Sequence, residues 1–345
     1  MKNTRLVLPF MLAACTSSVV TPPSAPAPIL ALKTIRDAQE NSPGGHLYAS
    51  VLGDRNYPAI ERYALIKGVP AKNPDRVYQG YGGGLLAVAG DGTLFAVTSV
   101  GNGAVITRFA QGSSKPSGEI RIPDLAKRCG SPSGGTDVGG LAADSKGYLF
   151  VAVGFFSGGA IRRGRMAGPD AAWPCDGVVI YAPGARGRAT PVQSIRFRRG
   201  ANVDGLAVDS ADNLYVAHIR RVVDEFSNAV AAPRKTRTFR GKFVGDVHAI
   251  ATDARGNLFI AGTGAGYQPG WIDRYAPTAK GGGAPTSSVS LPGLHLLGAI
   301  AESGRVLYVD DTNRSVGLYH AFRNGGQSPF YSVTGLNVIA VATGT

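Results

Sequence analysis

Three polar residues occur at equivalent points of a repeated pattern and could together do chemistry. Asp204, His248 and Asn337 each stand two positions before a Leu or Ile in a short apolar segment. A carboxylate beside an imidazole, with an amide across from them, can hold a divalent cation or orient a water molecule for hydrolysis. We therefore take Asp204, His248 and Asn337 as candidate site residues, and Asp204 and His248 as candidate ligands of a metal such as Ca²⁺ or Zn²⁺.

A simpler interpretation needs neither a metal nor catalysis. The three other equivalent positions hold Gly84, Gly139 and Gly298, which let strands crowd together, and polar side chains near them can simply be solvated. The sequence has no Gly-x-Ser-x-Gly motif and no evident Ser-His-Asp set. The three glycines and the absence of these catalytic motifs favour a protein that binds its partner without a cofactor. Two further histidines, His218 and His295, could lie near the three candidates.

The elements that must position these residues form a sixfold repeat. A Leu followed by an aromatic residue opens a β-rich run six times, and a second run that ends in an aromatic residue follows each time. The opening pairs are Leu47-Tyr48, Leu94-Phe95, Leu149-Phe150, Leu214-Tyr215, Leu258-Phe259 and Leu307-Tyr308, and the closing aromatics are Tyr63, Phe109, Tyr181, Phe226, Tyr275 and Tyr319.

A small apolar segment precedes five of the six pairs, and the sixth segment, 338–342, lies at the C-terminus. It can therefore pair with the first unit and close a ring, which removes two free sheet edges. A further β-rich segment follows most units, and no stretch has helical periodicity. Four antiparallel strands in each of six units predict an all-β fold, a six-bladed β-propeller over residues 43–345 whose C-terminal strand closes the first blade.

Part of the repeat resembles a known family. The segments 205–209, 213–217 and 224–226, with the letters GLAVD, NLYVA and DEF, resemble the NHL repeat, and later units echo them. The resemblance implies a fold more than an activity. Related six-bladed propellers, such as gluconolactonase-like and strictosidine-synthase-like proteins and the NHL-type amidating lyase, hold metals at the channel mouth. The resemblance therefore implies, as an alternative function, a metal-dependent lactonase-like hydrolase or lyase that uses Asp204, His248 and Asn337.

The N-terminal residues indicate export and a membrane anchor. Lys2 and Arg5 precede an apolar run that is too short to span a bilayer, and Leu12-Ala13-Ala14-Cys15 follows. These four residues resemble the lipobox of bacterial lipoproteins, which implies a signal peptide over residues 1–14 and lipidation of Cys15. Residues 15–42 then form a Pro-rich tether. Thr16 in place of Asp implies delivery to the outer membrane of a bacterial cell envelope.

Cys129 and Cys175 remain once Cys15 is lipidated. An even pair in an exported chain favours a disulfide over a metal or redox site. Both cysteines fall in connections that share one face of the propeller, so we predict a disulfide between Cys129 and Cys175.

The charge of the chain is strongly positive, at +13, and much of it is local. Residues 160–242 hold fifteen Lys and Arg against seven Asp and Glu. Outer strands that project these cations would form a basic patch attracted to anionic surfaces, although cations can also protect a sheet edge. The patch consists of Arg196, Arg198, Arg199, Arg234, Lys235, Arg237 and Arg240.

These observations favour a lipid-anchored extracytoplasmic binding module for a protein, glycan or peptide. We expect its partners to be the membrane, through the N-terminal lipid, and anionic envelope polymers or a protein. Nucleic acid is not expected, because an exported protein does not meet it, although the charge alone would permit binding. We expect the protein to be a monomer.

Overall fold

The computed structural model describes residues 45–52, 58–66, 68–100, 103–125, 136–155, 174–198, 201–218, 221–240, 246–264, 268–292, 297–303, 305–311, 315–320, 325–326, 329, 331–334 and 338–344. The predicted signal peptide and tether therefore lie outside the described residues. Within the described part, no helix is long and apolar enough to cross a membrane.

The described strands form six small sheets, which we number as blades one to six in chain order. Blades one to three contain β1 (Gly45–Leu52), β2 (Pro58–Ile66), β3 (Val69–Pro70) and β4 (Arg76–Gln79); β5 (Leu86–Val88), β6 (Leu94–Val100), β7 (Gly103–Phe109) and β8 (Pro116–Ile122); and β9 (Thr136–Ala143), β10 (Leu149–Phe155), β11 (Gly177–Tyr181) and β12 (Gln193–Arg196).

Blades four to six follow the same plan. They contain β13 (Val203–Val208), β14 (Leu214–His218), β15 (Val222–Ser227) and β16 (Arg234–Phe239); β17 (Asp246–Thr252), β18 (Leu258–Gly264), β19 (Gln268–Tyr275) and β20 (Ser287–Leu291); and β21 (Leu297–Ser303), β22 (Val306–Asp311), β23 (Ser315–His320) and β25 (Tyr331–Thr334). The short strand β24 (Gly325–Gly326) lies between β23 and β25 in the chain and pairs with β20 of blade five. The last strand of the chain is β26 (Val338–Gly344).

The ring closes as the sequence predicts. Strand β26 pairs antiparallel with β1, so Tyr48 lies opposite Ala342 and Ala49 opposite Val341. The innermost strand of blade one therefore comes from the C-terminus, while its other strands come from the start of the described chain. The predicted all-β, six-bladed propeller with a closing C-terminal strand is confirmed.

The repeated Leu and aromatic residues explain why the blades pack together. In every blade the Leu of the opening pair lies directly opposite the closing aromatic residue of the next strand, as in Leu47 opposite Tyr63 and Leu214 opposite Phe226. All six Leu residues are buried. The described core consists of six apolar clusters, each of which joins two neighbouring blades. Blade-to-blade burial therefore holds the ring together.

Aspartates order the turns between the first and second strands of several blades. Asp209 is buried, and its carboxylate accepts hydrogen bonds from the backbone of Ala211 and Asn213, both at 2.9 Å. Asp253 accepts the same pair of bonds from Arg255 and Asn257. These carboxylates close their own turns, so they are structural.

The outer edges of four blades are contacted by the neighbouring blade. In each case the connection between the third and fourth strands of one blade reaches the outermost strand of the preceding blade, which leaves that edge less open to aggregation. The contacts are a bridge between Gly187 and Ile120 of β8, a bond from Gln193 of β12 to Ala231, bonds from Arg237 of β16 to Pro277 and Ala279, and the pairing of β24 with β20.

Candidate functional site

The innermost strands β9, β13 and β17 each carry a one-residue β-bulge at the mouth of the central channel. In β13 the residues on either side of Asp204 pair with consecutive residues of β14, so Asp204 is the extra residue. His248 is the extra residue of β17, and Gly139 is that of β9. A bulge re-aims the side chain of its extra residue, and the repeated irregularity therefore sets the ring of mouth residues.

Asp204 and His248 lie next to each other, as the sequence predicts. The Nδ1 atom of His248 is 3.6 Å from Oδ2 of Asp204, and both side chains are about one-third exposed. The other ring nitrogen, Nε2, lies 3.0 Å from Oγ1 of Thr263 on β18. The hydroxyl of Thr263 thus fixes the imidazole so that Nδ1 is directed to the carboxylate. Sequence reasoning missed Thr263, since nothing in the repeat distinguishes it.

The third candidate, Asn337, lies outside the described residues. The register of β26 with β1 makes Ile339 the extra residue of the closing strand, so Ile339 takes the position that Asp204 and His248 hold in their blades. His295 also lies outside the described residues. His218 ends β14, where it is buried, and its Nε2 is 3.3 Å from Oδ2 of Asp224.

Asp224 belongs to a polar group inside blade four. Burial alone would raise its pKa, but the close approach of His218, a hydrogen bond from Thr238 and the charge of Lys235 hold the pKa of this carboxyl below its usual value. The ring of His218 packs edge-on against Phe197, with ring centres 4.7 Å apart. His218 therefore helps to join blades three and four.

The cavity below the channel mouth is small. It has a volume of about 70 Å³ and is lined by Asp204 and His248 together with apolar residues such as Leu206 and Ile250. This volume holds a few water molecules, whereas pockets for small organic ligands occupy roughly 300–1,000 Å³.

The basic patch divides into residues with different surroundings. Arg234, Lys235 and Arg240 are exposed on or just after β16, as are Arg196 and Arg198 at the end of β12. Lys235 lies 3.5 Å from Oδ1 of Asp224. Arg199 lies outside the described residues. The patch therefore contains both exposed and internally paired cations.

Arg237 serves the interior of the fold. Its guanidinium pairs with the buried carboxylate of Glu225 and donates to the carbonyl oxygens of Pro277 at 2.5 Å and Ala279 at 2.8 Å. These partners belong to blades four and five, so Arg237 joins two blades, contrary to the surface role predicted for it in the basic patch.

A second group of cations lies where blades two and three meet. We call Arg108, Arg121, Arg186 and Arg188 the arginine seam. Gly187 donates to the carbonyl of Glu119 at 2.6 Å and accepts from the backbone of Arg121 at 2.7 Å, which brings Arg186 and Arg188 to the edge of blade two. Ile195 and Phe197 of the outer strand region of blade three pack against blade four, so alternation along the strand turns Arg196 towards the seam.

The seam has little internal neutralisation in the described part of the chain. Its ion pair is that of Arg121 with Glu119, at 3.5 Å, and both side chains are largely exposed, which makes such a pair weak. Arg186 and Arg188 are exposed, and Arg108 is half-buried. Since the connection of blade three already covers the outer strand of blade two, edge protection does not explain this concentration of charge.

Cys175 is half-buried against the cluster between blades two and three. Cys129 lies outside the described residues, as do Cys15 and the segment 156–173. The disulfide between Cys129 and Cys175 and the lipidation of Cys15 stay predictions.

Comparison with known proteins finds the fold again. No protein-family model matches the chain, and no curated protein matches it. A protein of unknown function from Bacteroides caccae aligns with a TM-score of 0.53 and 11% identity, over 87% of this chain and 99% of that one. A protein from Lactobacillus plantarum aligns with a TM-score of 0.50 and 12% identity, over the same shares of the two chains.

The likeness is one of architecture. Identities this low carry no information on ligand or reaction, and the similarity to the NHL repeat stays a resemblance.

Proposed function

We propose that this chain is a lipid-anchored extracytoplasmic binding module that holds an anionic envelope polymer on its rim. The observation that carries the proposal is the arginine seam, in which four arginines gather around the outer strand of blade two where the connection of blade three covers it, and the described residues neutralise one of them, weakly. Unpaired guanidinium groups at this density attract phosphate and carboxylate groups. The cavity at the channel mouth beside Asp204 and His248 is too small for a drug-sized ligand, which favours the rim over that mouth.

Retention on an anionic polysaccharide tests the role of the seam. We compare the full-length chain on a heparin column with the triple variant Arg121→Gln, Arg186→Gln, Arg188→Gln. A matched control, Arg234→Gln, Lys235→Gln, Arg240→Gln, removes the same charge from β16. The seam variant should elute at clearly lower salt, because fewer counterions are exchanged, while the control elutes near the native chain. Equal loss in the two variants would show that net charge alone governs retention.

The anchor has a separate test. The native chain expressed in a bacterial host should partition into the detergent phase, and Cys15→Ser should move it to the aqueous phase, because the acyl chains supply the membrane affinity. A native chain that stays aqueous would contradict the anchor and leave the proposal for the rim unaffected.

One observation favours a second function, a metal-dependent lactonase-like hydrolase at the channel mouth. The 3.6 Å between His248 and Asp204 exceeds a normal hydrogen bond, yet it is close to the roughly 3.4 Å that separates two ligands of a tetrahedral zinc ion. Thr263 would orient the imidazole, as partners of metal-bound histidines do. Such an ion would supply an activated water.

The described part of the site offers too few protein ligands for a catalytic zinc ion. Within the described residues no three His, Cys, Asp or Glu side chains gather as a metal site, whereas catalytic zinc usually has three protein ligands. Zinc titration of the native chain and of Asp204→Ala decides the question. Stoichiometric zinc binding that Asp204→Ala removes, together with lactone hydrolysis, would favour the hydrolase. Absence of saturable zinc binding by the native chain would favour the binding module.

A further inference from the structure

Arg108 and Arg186 occupy one small region of the seam because of a glycine. Arg108 on β7 lies directly opposite Gly118 on β8, so their Cβ directions share one face of the sheet. A Cβ atom built on Gly118 would lie 3.3 Å from both Cγ and Nε of Arg186. The side chain of Arg186 therefore fills the space that a residue larger than Gly118 would take, beside Arg108.

The connection from blade three fixes this arrangement. Gly184 and Gly187 have positive φ values of 78° and 63°, which glycine adopts without strain. Gly187 is held by two backbone hydrogen bonds to β8, and a Cβ on Gly184 would lie 3.9 Å from Nη1 of Arg108. Arg108 and the backbone that carries Arg186 thus meet at a position set by main-chain bonds.

Two guanidinium groups that share one small region repel each other unless an anion lies between them. Within the described part of the chain, Nε of Arg108 is buried and has no hydrogen-bond partner. Buried donors in folded proteins are nearly always satisfied. Glu119 and its ion-pair partner Arg121 lie one and three residues after Gly118 along β8, so both project from the opposite face of the strand and neither lies between Arg108 and Arg186.

We propose that Arg108 and Arg186 bind a phosphate group, which would be the recognised unit of the anionic polymer; the inference rests on the proposed function of the seam. A phosphate oxygen accepts from Nε of Arg108, and the guanidinium of Arg186 donates to the same group from the other side. Two arginines match the tetrahedral shape and double charge of a phosphate monoester better than they match one planar carboxylate.

Calorimetric titration of the full-length chain with inorganic phosphate in chloride buffer tests the site. Saturable binding is expected, and Arg108→Gln or Arg186→Gln should each weaken it about tenfold or more, the loss typical of a charged hydrogen bond. Gly118→Val should weaken it as well, because the new side chain displaces Arg186 without changing the charge. The matched control, Arg234→Gln, removes one exposed positive charge from β16, away from the seam, and should bind phosphate like the native chain.

Thermal melting in phosphate-free buffer separates binding from folding. Arg186→Gln should melt at the same temperature as the native chain or higher, because it removes a repulsion. Phosphate should raise the melting temperature of the native chain, and at the same concentration it should raise that of the variant much less. A lower melting temperature of Arg186→Gln without phosphate would mean that Arg186 is a structural residue, and the proposal would be wrong.

Two further ligands distinguish the source of the phosphate. Tighter binding of glucose 1-phosphate than of inorganic phosphate would identify a phosphorylated glycan. Retention on phosphatidylglycerol vesicles that Arg108→Gln abolishes would identify a lipid headgroup. Absence of saturable phosphate binding by the native chain would overturn the inference, and heparin retention that still depends on the seam would show that the proposed function survives it.

Discussion

Arg237 offers the sharpest test of how the blades are held, because the sequence assigns it to a surface patch and the structure places it between two blades. Its side chain is 22% exposed, whereas that of its partner Glu225 is 7% exposed. Arg237→Gln would leave the carboxylate of Glu225 buried with the hydroxyl of Thr236, at 2.8 Å, as its remaining described side-chain donor. The carbonyl oxygens of Pro277 and Ala279 would lose their donor as well.

The expected loss of stability is large. Breaking a buried ion pair by removing one partner costs about 3–5 kcal/mol, and the partial exposure of Arg237 places the estimate near the lower end. A loss of about 3 kcal/mol is a substantial part of a typical folding free energy of about 5–15 kcal/mol. Urea denaturation monitored by intrinsic fluorescence gives this difference, with Arg234→Gln on the same strand as an exposed control expected within about 0.5 kcal/mol of the native chain.

A double variant checks the cause. If the loss of stability comes from the unpaired carboxylate of Glu225, Arg237→Met combined with Glu225→Leu should recover most of the stability, since an apolar pair of similar size replaces the ion pair. A single variant Arg237→Gln as stable as Arg234→Gln would refute the assignment of Arg237 to the blade junction and return it to the surface patch.

Three further predictions address the core, the closure and a buried acid. Gly139→Val should lower the unfolding free energy by more than about 2 kcal/mol in urea, because its Cβ would lie 2.0 Å from the carbonyl oxygen of Val203. Thr343→Val should cost about 1 kcal/mol in the same assay, because it removes a 2.9 Å bond from the closing strand to the carbonyl of Glu302 in blade six. Burial raises the pKa of Glu302 to about 7, so the folded state holds this proton at pH values where the unfolded state has already lost it. The stability that the protonated Glu302 contributes is complete below the unfolded pKa and falls as pH rises through 7. Urea unfolding at pH 5 and pH 8 should show this loss in the native chain and a smaller one in Glu302→Gln.

The fold could be read from the sequence because its signal is repeated and local. Each Leu and its closing aromatic residue are register partners in the folded chain, so one pairing rule recurs six times and the errors of a single unit average out. The closing strand was predictable for the same reason, since an apolar segment was missing at the start and present at the end.

The alignment of the closing strand shows where this reasoning stops. The segment 338–342 contains Val, Ile and Ala, and alignment by its Leu or Ile selects Ile339 and so predicts Asn337 at the mouth. In the structure Val341 pairs with Ala49, and Ile339 is the bulged residue. A shift of two residues keeps every side chain on the same face of a strand, so the apolar pattern cannot distinguish the two registers.

The number of cations is evident from the sequence, but the sequence does not show which of them are exposed and which pair inside the fold. Arg237 and Arg234 belong to one outer strand, yet one is held by Glu225 and two carbonyl groups while the other is exposed. Arg108 and Arg186 are far apart in the chain and meet because blade three reaches over the edge of blade two. A run of charges in the sequence shows which cations are neighbours along one strand. The contacts of Arg237 and of Arg186 are instead made with residues of another blade.

The covering of sheet edges and the gathering of charge have one structural origin in this propeller. A connection that reaches the outer strand of the preceding blade must carry its side chains to that junction, and in blade three those side chains include Arg186 and Arg188. In blade five the corresponding connection instead offers carbonyl oxygens to Arg237. The same device therefore neutralises a cation at one junction and concentrates cations at another, so the sequence of each connection, more than the blade strands themselves, determines which junction can bind an anion.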